Sequence, residues 1–100
     1  MKRDDLVTIF KIHRADLGDR GVGDIAIFGS AARDDMDEFS DVDVLVEFKR
    51  PVGLFEFIRL KLQLEKWIGL QVDLVTPDAI RPAFREGILK EAIYIRDIFC

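Results

Sequence analysis

Apolar positions recur at helical spacing where the chain begins. Leu6, Phe10, His13 and Leu17 fall at i, i+4, i+7 and i+11, with Ile9 beside them. This pattern predicts one helix, ended by Gly18 and Gly21-Val22-Gly23. The period then shortens. Asp24-Ile25-Ala26-Ile27-Phe28 reads as a strand, and Gly29-Ser30 turns out of it into a short helix-prone stretch from Ala31 to Asp35. Residues 37–40 read as a polar loop. From Asp41 to Phe48 the positions alternate: Val42, Val44 and Val46 share one face, and Asp41, Asp43, Leu45 and Glu47 the other. Pro51 and Gly53 punctuate, and a helix from about Leu54 to Ile68 is closed by Gly69. Leu70 to Val75 is a third strand. Thr76-Pro77 has the form of an N-cap with proline in the first turn, predicting a last helix marked by Ile80, Phe84 and Ile88 and reaching about Glu91. Ile93-Tyr94-Ile95 reads as a short final strand. The order helix, strand, strand, helix, strand, helix predicts an α/β (α+β) fold, a small mixed sheet covered by helices on one face.

Composition narrows the function. A chain of 100 residues with 49% hydrophobic and 34% charged positions is globular, and residues 1–100 are read as a single domain. Fifteen basic against nineteen acidic residues leave a net charge of −4, so direct nucleic-acid binding is not expected. One histidine and one cysteine, Cys100, cannot build a zinc site or an internal disulfide. Any metal must be held by carboxylates, which points to magnesium, manganese or calcium. No apolar run of about 20 residues exists to span a membrane, and no secretory leader is visible, so the chain is read as cytoplasmic.

Three features carry candidate chemistry. Aspartate is disfavoured in strands, yet Asp41 and Asp43 occupy a strong one, projecting from the same face with Cα atoms about 6.6 Å apart. Carboxylates so placed repel, and a divalent cation between them converts repulsion into binding. Gly29-Ser30 follows a strand and opens a helical turn. Glycine admits a ligand close to the backbone, and the serine hydroxyl with the exposed N–H groups suits phosphate. Arg33, three residues on, faces the same way as Ser30. Asp73 points away from the apolar face of Leu70, Val72 and Leu74; if its strand neighbours that of Asp41 in register, three carboxylates share one open face. Taken singly, each is also what a solvated strand face or an ordinary turn would carry.

Together they resemble the nucleotidyltransferase superfamily of DNA polymerase β and kanamycin nucleotidyltransferase, whose signature is a Gly-Ser followed by a spaced Asp-x-Asp. Here it reads Gly29-Ser30-Ala31-Ala32-Arg33, then Asp41-Val42-Asp43, with Asp73 in the place of the third acid. In its length and the form of its turn the chain resembles the minimal nucleotidyltransferases (MNT), antitoxins that act beside HEPN ribonuclease toxins. The resemblance implies the minimal nucleotidyltransferase fold. It also implies a magnesium site, of two ions, formed by Asp41, Asp43 and Asp73, with ATP as substrate. Gly29 and Ser30 would hold phosphates, and Arg33 would contact phosphate or brace an aspartate. The implied activity is transfer of AMP to a hydroxyl, a tyrosine in that family, of a HEPN partner. The alternatives are an antitoxin acting by contact alone and a transferase for a small molecule such as an aminoglycoside.

The helix from Leu54 to Ile68 is more apolar than one packing face requires. Phe55 and Leu62 lie away from the Leu64 and Ile68 side and are predicted to meet a partner chain. His13, on an apolar helix face, is read as packed rather than catalytic.

Overall fold

The computed structural model describes residues 2–37 and 41–95. Cys100 and most of the loop expected at 37–40 lie outside them. The chain runs α1 (Arg3–Ile12), α2 (Arg14–Asp19), β1 (Val22–Phe28), α3 (Gly29–Arg33), β2 (Val42–Phe48), α4 (Leu54–Ile68), β3 (Val72–Val75), α5 (Pro82–Glu91) and β4 (Ile93–Tyr94), with a 3-10 turn at Pro77–Ala79 before α5. The strands form one mixed sheet in the order β3-β2-β1-β4. β1 pairs antiparallel with both β2 and β4, while β2 and β3 are parallel, joined by a crossover through α4.

Alternation in the strands decides which face is sealed. Ile25, Ile27, Val42, Val44, Val46, Val72 and Leu74 are buried against Leu6 and Phe10 of α1 and Leu60, Leu64 and Ile68 of α4. The predicted core side of α4 is therefore the observed one, and its limits, Leu54 and Ile68, are those expected. Gly69 closes the helix in the left-handed region, φ 81°, where a residue without Cβ is unstrained. The opposite face is only partly covered. Ala26, Leu45 and Ile80 form a small second cluster, joined by Ile88 and Tyr94.

The structure corrects two helix boundaries. The first helix is two: His13 leaves helical geometry (φ −99°, ψ 17°) between α1 and α2. The apolar face continues across the break, since Leu17 is still buried, and so periodicity cannot reveal it. The His13 ring stacks on Trp67, centroids 3.8 Å apart, as a packed histidine should. The last helix begins at Pro82 rather than Pro77. A residue before proline is pushed out of the helical region, and Arg81 is extended, ψ 137°. The turn begun at Pro77 therefore closes after Ala79, and Ile80 drops onto the second face.

The beginning of α1 is tied to the end of α3. Asp34, in the left-handed region at φ 60°, ends α3. Its Oδ1 accepts the Arg3 backbone N–H at 2.8 Å, and the Arg3 guanidinium donates to the Ala32 carbonyl at 3.2 Å.

Candidate active site

The parallel β2–β3 pair brings two of the predicted acids together. Asp43 and Asp73, thirty positions apart in the chain, are direct register partners, so their Cα atoms stand about 4.8 Å apart on the partly open face. Asp41, exposed, lies just ahead of β2. Asp43 is half-buried, and its carboxyl is held above the ordinary value, first by burial, then by the charges of Asp73, Asp41 and Glu91, with Arg33 opposing. The three predicted carboxylates thus converge electrostatically on one strand position.

The Gly-Ser turn abuts the same position. Phe28 at the end of β1 pairs with Asp43, which puts Gly29 against the Asp43 side chain. Gly29 has φ 64°, and a Cβ built there would overlap Asp43 Oδ2 and lie 3.3 Å from its Cγ. Glycine is therefore favoured twice: its φ is unstrained without a Cβ, and any Cβ would push the Asp43 carboxylate aside. Ser30 follows, half-buried at the start of α3, its carbonyl accepting the Asp35 N–H at 3.0 Å.

Arg33 does not brace a predicted acid. Its guanidinium pairs with Glu91 Oε1 and, through Nε, with Asp35 Oδ2 at 3.3 Å. The hydrogen bond it donates to Glu91, then that to Asp35, holds the guanidinium above its ordinary value. Glu91 also accepts the Gly29 backbone N–H through Oε2, at 3.4 Å. Sequence reasoning passed over Glu91, the last residue of α5. Nothing local marks it, because its place beside Gly29 comes from the packing of a helix that begins some fifty residues later.

The donor set suits a hard cation in kind: carboxylate oxygens only, with a central Asp43 whose charged form is disfavoured until a positive charge arrives. Among the described residues no three histidine, cysteine or acidic side chains converge tightly enough to make a complete metal cage. Magnesium fits such a site, since it is commonly held by one or two carboxylates with substrate phosphates and water supplying the remaining oxygens. A cleft of about 860 Å³ lies elsewhere, at the far end of β2, lined by Phe48, Pro51, Leu54, Phe57 and Pro77 among others, and contains none of the predicted site residues.

A mixed sheet with a glycine-serine turn against paired strand aspartates is in keeping with a nucleotidyltransferase, and the chain belongs to the nucleotidyltransferase domain family, whose model matches residues 8–95. Within that family it is similar to the protein adenylyltransferase MntA of Thermococcus cleftensis, 37% identical over 93 residues that cover 92% of this chain and 94% of that protein. Among solved structures it is similar to a candidate minimal nucleotidyltransferase, with 35% identity and a TM-score of 0.82, covering 93% of this chain and 95% of the other. It shares its fold with the MNT antitoxin crystallised in complex with a tri-AMPylated HEPN toxin of Shewanella oneidensis. That likeness has 18% identity and a TM-score of 0.65, covering 93% of this chain and 71% of that one.

Proposed function

We propose that this nucleotidyltransferase is an antitoxin that moves AMP from ATP to a hydroxyl, tyrosine being the expected acceptor, of a HEPN-domain toxin in the cytoplasm. The observation that carries the reading is the in-register Asp43–Asp73 pair beside Gly29, in a chain whose relative over nearly its full length is named a protein adenylyltransferase. The partner is inferred from the AMPylated complex that shares the fold.

The residues divide the work. Gly29 and Ser30 would receive the terminal phosphates through backbone N–H groups and the serine hydroxyl, with Arg33 lending positive charge. Asp41, Asp43 and Asp73 would hold magnesium, which when bound offsets the triphosphate charge and stabilises the entering and leaving oxygens. The acceptor oxygen forms a bond to the α-phosphorus as the bond to the bridging oxygen breaks, releasing pyrophosphate and the hydroxyl proton.

A protein acceptor is favoured over a small molecule. Positioning supplies much of the rate, and a small acceptor needs a concave site beside the α-phosphate. The cleft lined by Phe48 and Pro51 opens at the other end of β2, three to five residues from Asp43, hence about 10 Å or more away. A docked partner positions its own hydroxyl. The exposed stripe on α4, where Phe55 is 77% and Leu62 56% accessible, offers it an apolar surface. Incubating the chain with its partner, ATP and magnesium should add AMP to a partner side chain, read by mass spectrometry, and leave out that addition when magnesium is chelated. Label confined to a small molecule, with the partner untouched at any ratio, overturns the antitoxin reading.

A further inference from the structure

We propose that Glu91 is a built-in surrogate for phosphate: in the nucleotide-free chain its carboxylate occupies the Gly29 N–H and Arg33, and an incoming triphosphate must displace it. The inference rests on the nucleotide reading of the Gly29-Ser30 turn given above.

Three observations meet at this side chain. First, Glu91 uses its two oxygens on two different donors, Oε2 on the Gly29 N–H at 3.4 Å and Oε1 on the Arg33 guanidinium. These are the backbone and side-chain donors that the turn offers to an anion, and a phosphate group bridging them would use its oxygens in the same way. Second, the placement is not explained by stability. The Arg33–Glu91 pair is substantially exposed, 54% and 30% at the side chains, and pairs of that kind contribute little. Meanwhile Glu91 adds negative charge beside Asp43, which already faces Asp73 and Asp41. Third, the side chain is able to leave. Glu91 is the last residue of α5, and the backbone after it is held independently. The Ala92 N–H bonds to the Ile88 carbonyl at 2.9 Å, and Ile93 pairs with Ile27. Rotation of the glutamate side chain alone uncovers both donors.

The consequence is a threshold for entry. With Glu91 in place the turn presents a carboxylate to anything approaching it, so a weak anion gains little by exchange. A magnesium-bound triphosphate brings several oxygens and offsets its own charge, and it can take over both donors. After transfer, the returning carboxylate competes with pyrophosphate for the same groups and favours its departure. Glu91 in this role touches no reacting atom; it acts through Gly29 and Arg33.

Calorimetry on the full chain without partner tests this, titrating magnesium with ATP and, separately, magnesium with inorganic tripolyphosphate into the unaltered protein and Glu91→Gln. The glutamine retains the shape and removes the charge. Both probes should bind Glu91→Gln about tenfold more tightly, the size expected when one charge-assisted hydrogen bond no longer has to be broken on entry. In an Arg33→Gln background the gain should shrink to under about threefold, because half of what Glu91 occupies is gone. Hydrogen exchange at the Gly29 amide should also quicken in Glu91→Gln. Should the glutamine variant melt early, Glu91→Ala takes its place with the same expectation. Unchanged or weaker binding in a folded variant overturns the proposal, as does binding of tripolyphosphate to neither protein. Tripolyphosphate carries no nucleoside, so tightening there supports the role of Glu91 even if AMP transfer to a partner fails. Transfer by the unaltered chain without tightening overturns this inference and leaves the nucleotidyltransferase reading standing.

Discussion

The two faces of the sheet are built from the same four strands and behave as opposites. On the side of α1 and α4, Val42, Val44 and Val46 are fully buried with Leu64 above them, and every position serves packing. On the other side the alternate residues are Asp43, Leu45 and Glu47. Only Leu45 is sealed, beneath Ile80, and Asp43 is half-buried among like charges. A period of two thus lets one strand carry stability and chemistry at adjacent positions without mixing them. Substitutions on the first face should cost folding and leave the site's chemistry alone, and those on the second should do the reverse.

The largest expected effect breaks the packed face. Leu64→Ala empties a fully buried position in α4 and should cost about 2–5 kcal/mol of stability, seen as a large drop in the denaturant midpoint. Protein that remains folded should transfer AMP normally. Loss of transfer out of proportion to the loss of folded protein would show that the faces are not independent.

The second effect has the opposite sign. Because the Asp43 carboxyl lies above its ordinary value of 3.8 in the folded chain, the folded state favours its protonated form. The stability this contributes is present below the ordinary value and is lost as pH rises through the raised one. At pH 7 in metal-free buffer, Asp43→Asn should therefore stabilise the fold, by up to about 1 kcal/mol as for relief of a facing like-charge pair, while abolishing transfer. The gain should fade as the pH is lowered toward 4. A variant that melts earlier at pH 7 would show that the carboxylate contributes to the fold, and retained transfer would remove Asp43 from the catalytic machinery.

The smallest effect on stability is expected outside both faces. Replacing Phe55 and Leu62 together with serine alters exposed positions of α4 and should move monomer stability by no more than about 0.5 kcal/mol, yet weaken binding to the partner. A loss of several kcal/mol in the monomer would place these residues in the core.

Much of this was legible beforehand where local rules act alone. The limits of α4 follow from a helical stripe framed by Gly53 and Gly69, and the faces of β2 from strict alternation. The pairing of Asp43 with Asp73 required only that β2 and β3 be neighbours in register. What could not be read depends on contacts between distant segments, on breaks that leave the period unshifted, or on two local signals of equal strength. The break at His13 leaves the apolar face unshifted, so no period records it. Pro82 does carry a signal, since it forces Arg81 out of the helix, but Pro77 offered an equally good start. Glu91 is the distant contact, because a carboxylate at a helix end has no local reason to meet a turn that lies 62 residues earlier in the chain.

The hydrogen bonds from the Arg3 N–H to Asp34 at 2.8 Å and from its guanidinium to the Ala32 carbonyl at 3.2 Å tie the head of α1 to the short helix that opens at Gly29-Ser30. Whatever is attached there is coupled to the site. A rigid fusion partner joined directly ahead of Lys2 would strain Asp34, and through it the residues that follow Gly29, so a flexible spacer belongs between tag and protein. The same coupling has a use: an environment-sensitive dye at Lys2 should change its emission when magnesium and ATP are added, and Asp34→Ala should silence that signal while nucleotide still binds by calorimetry.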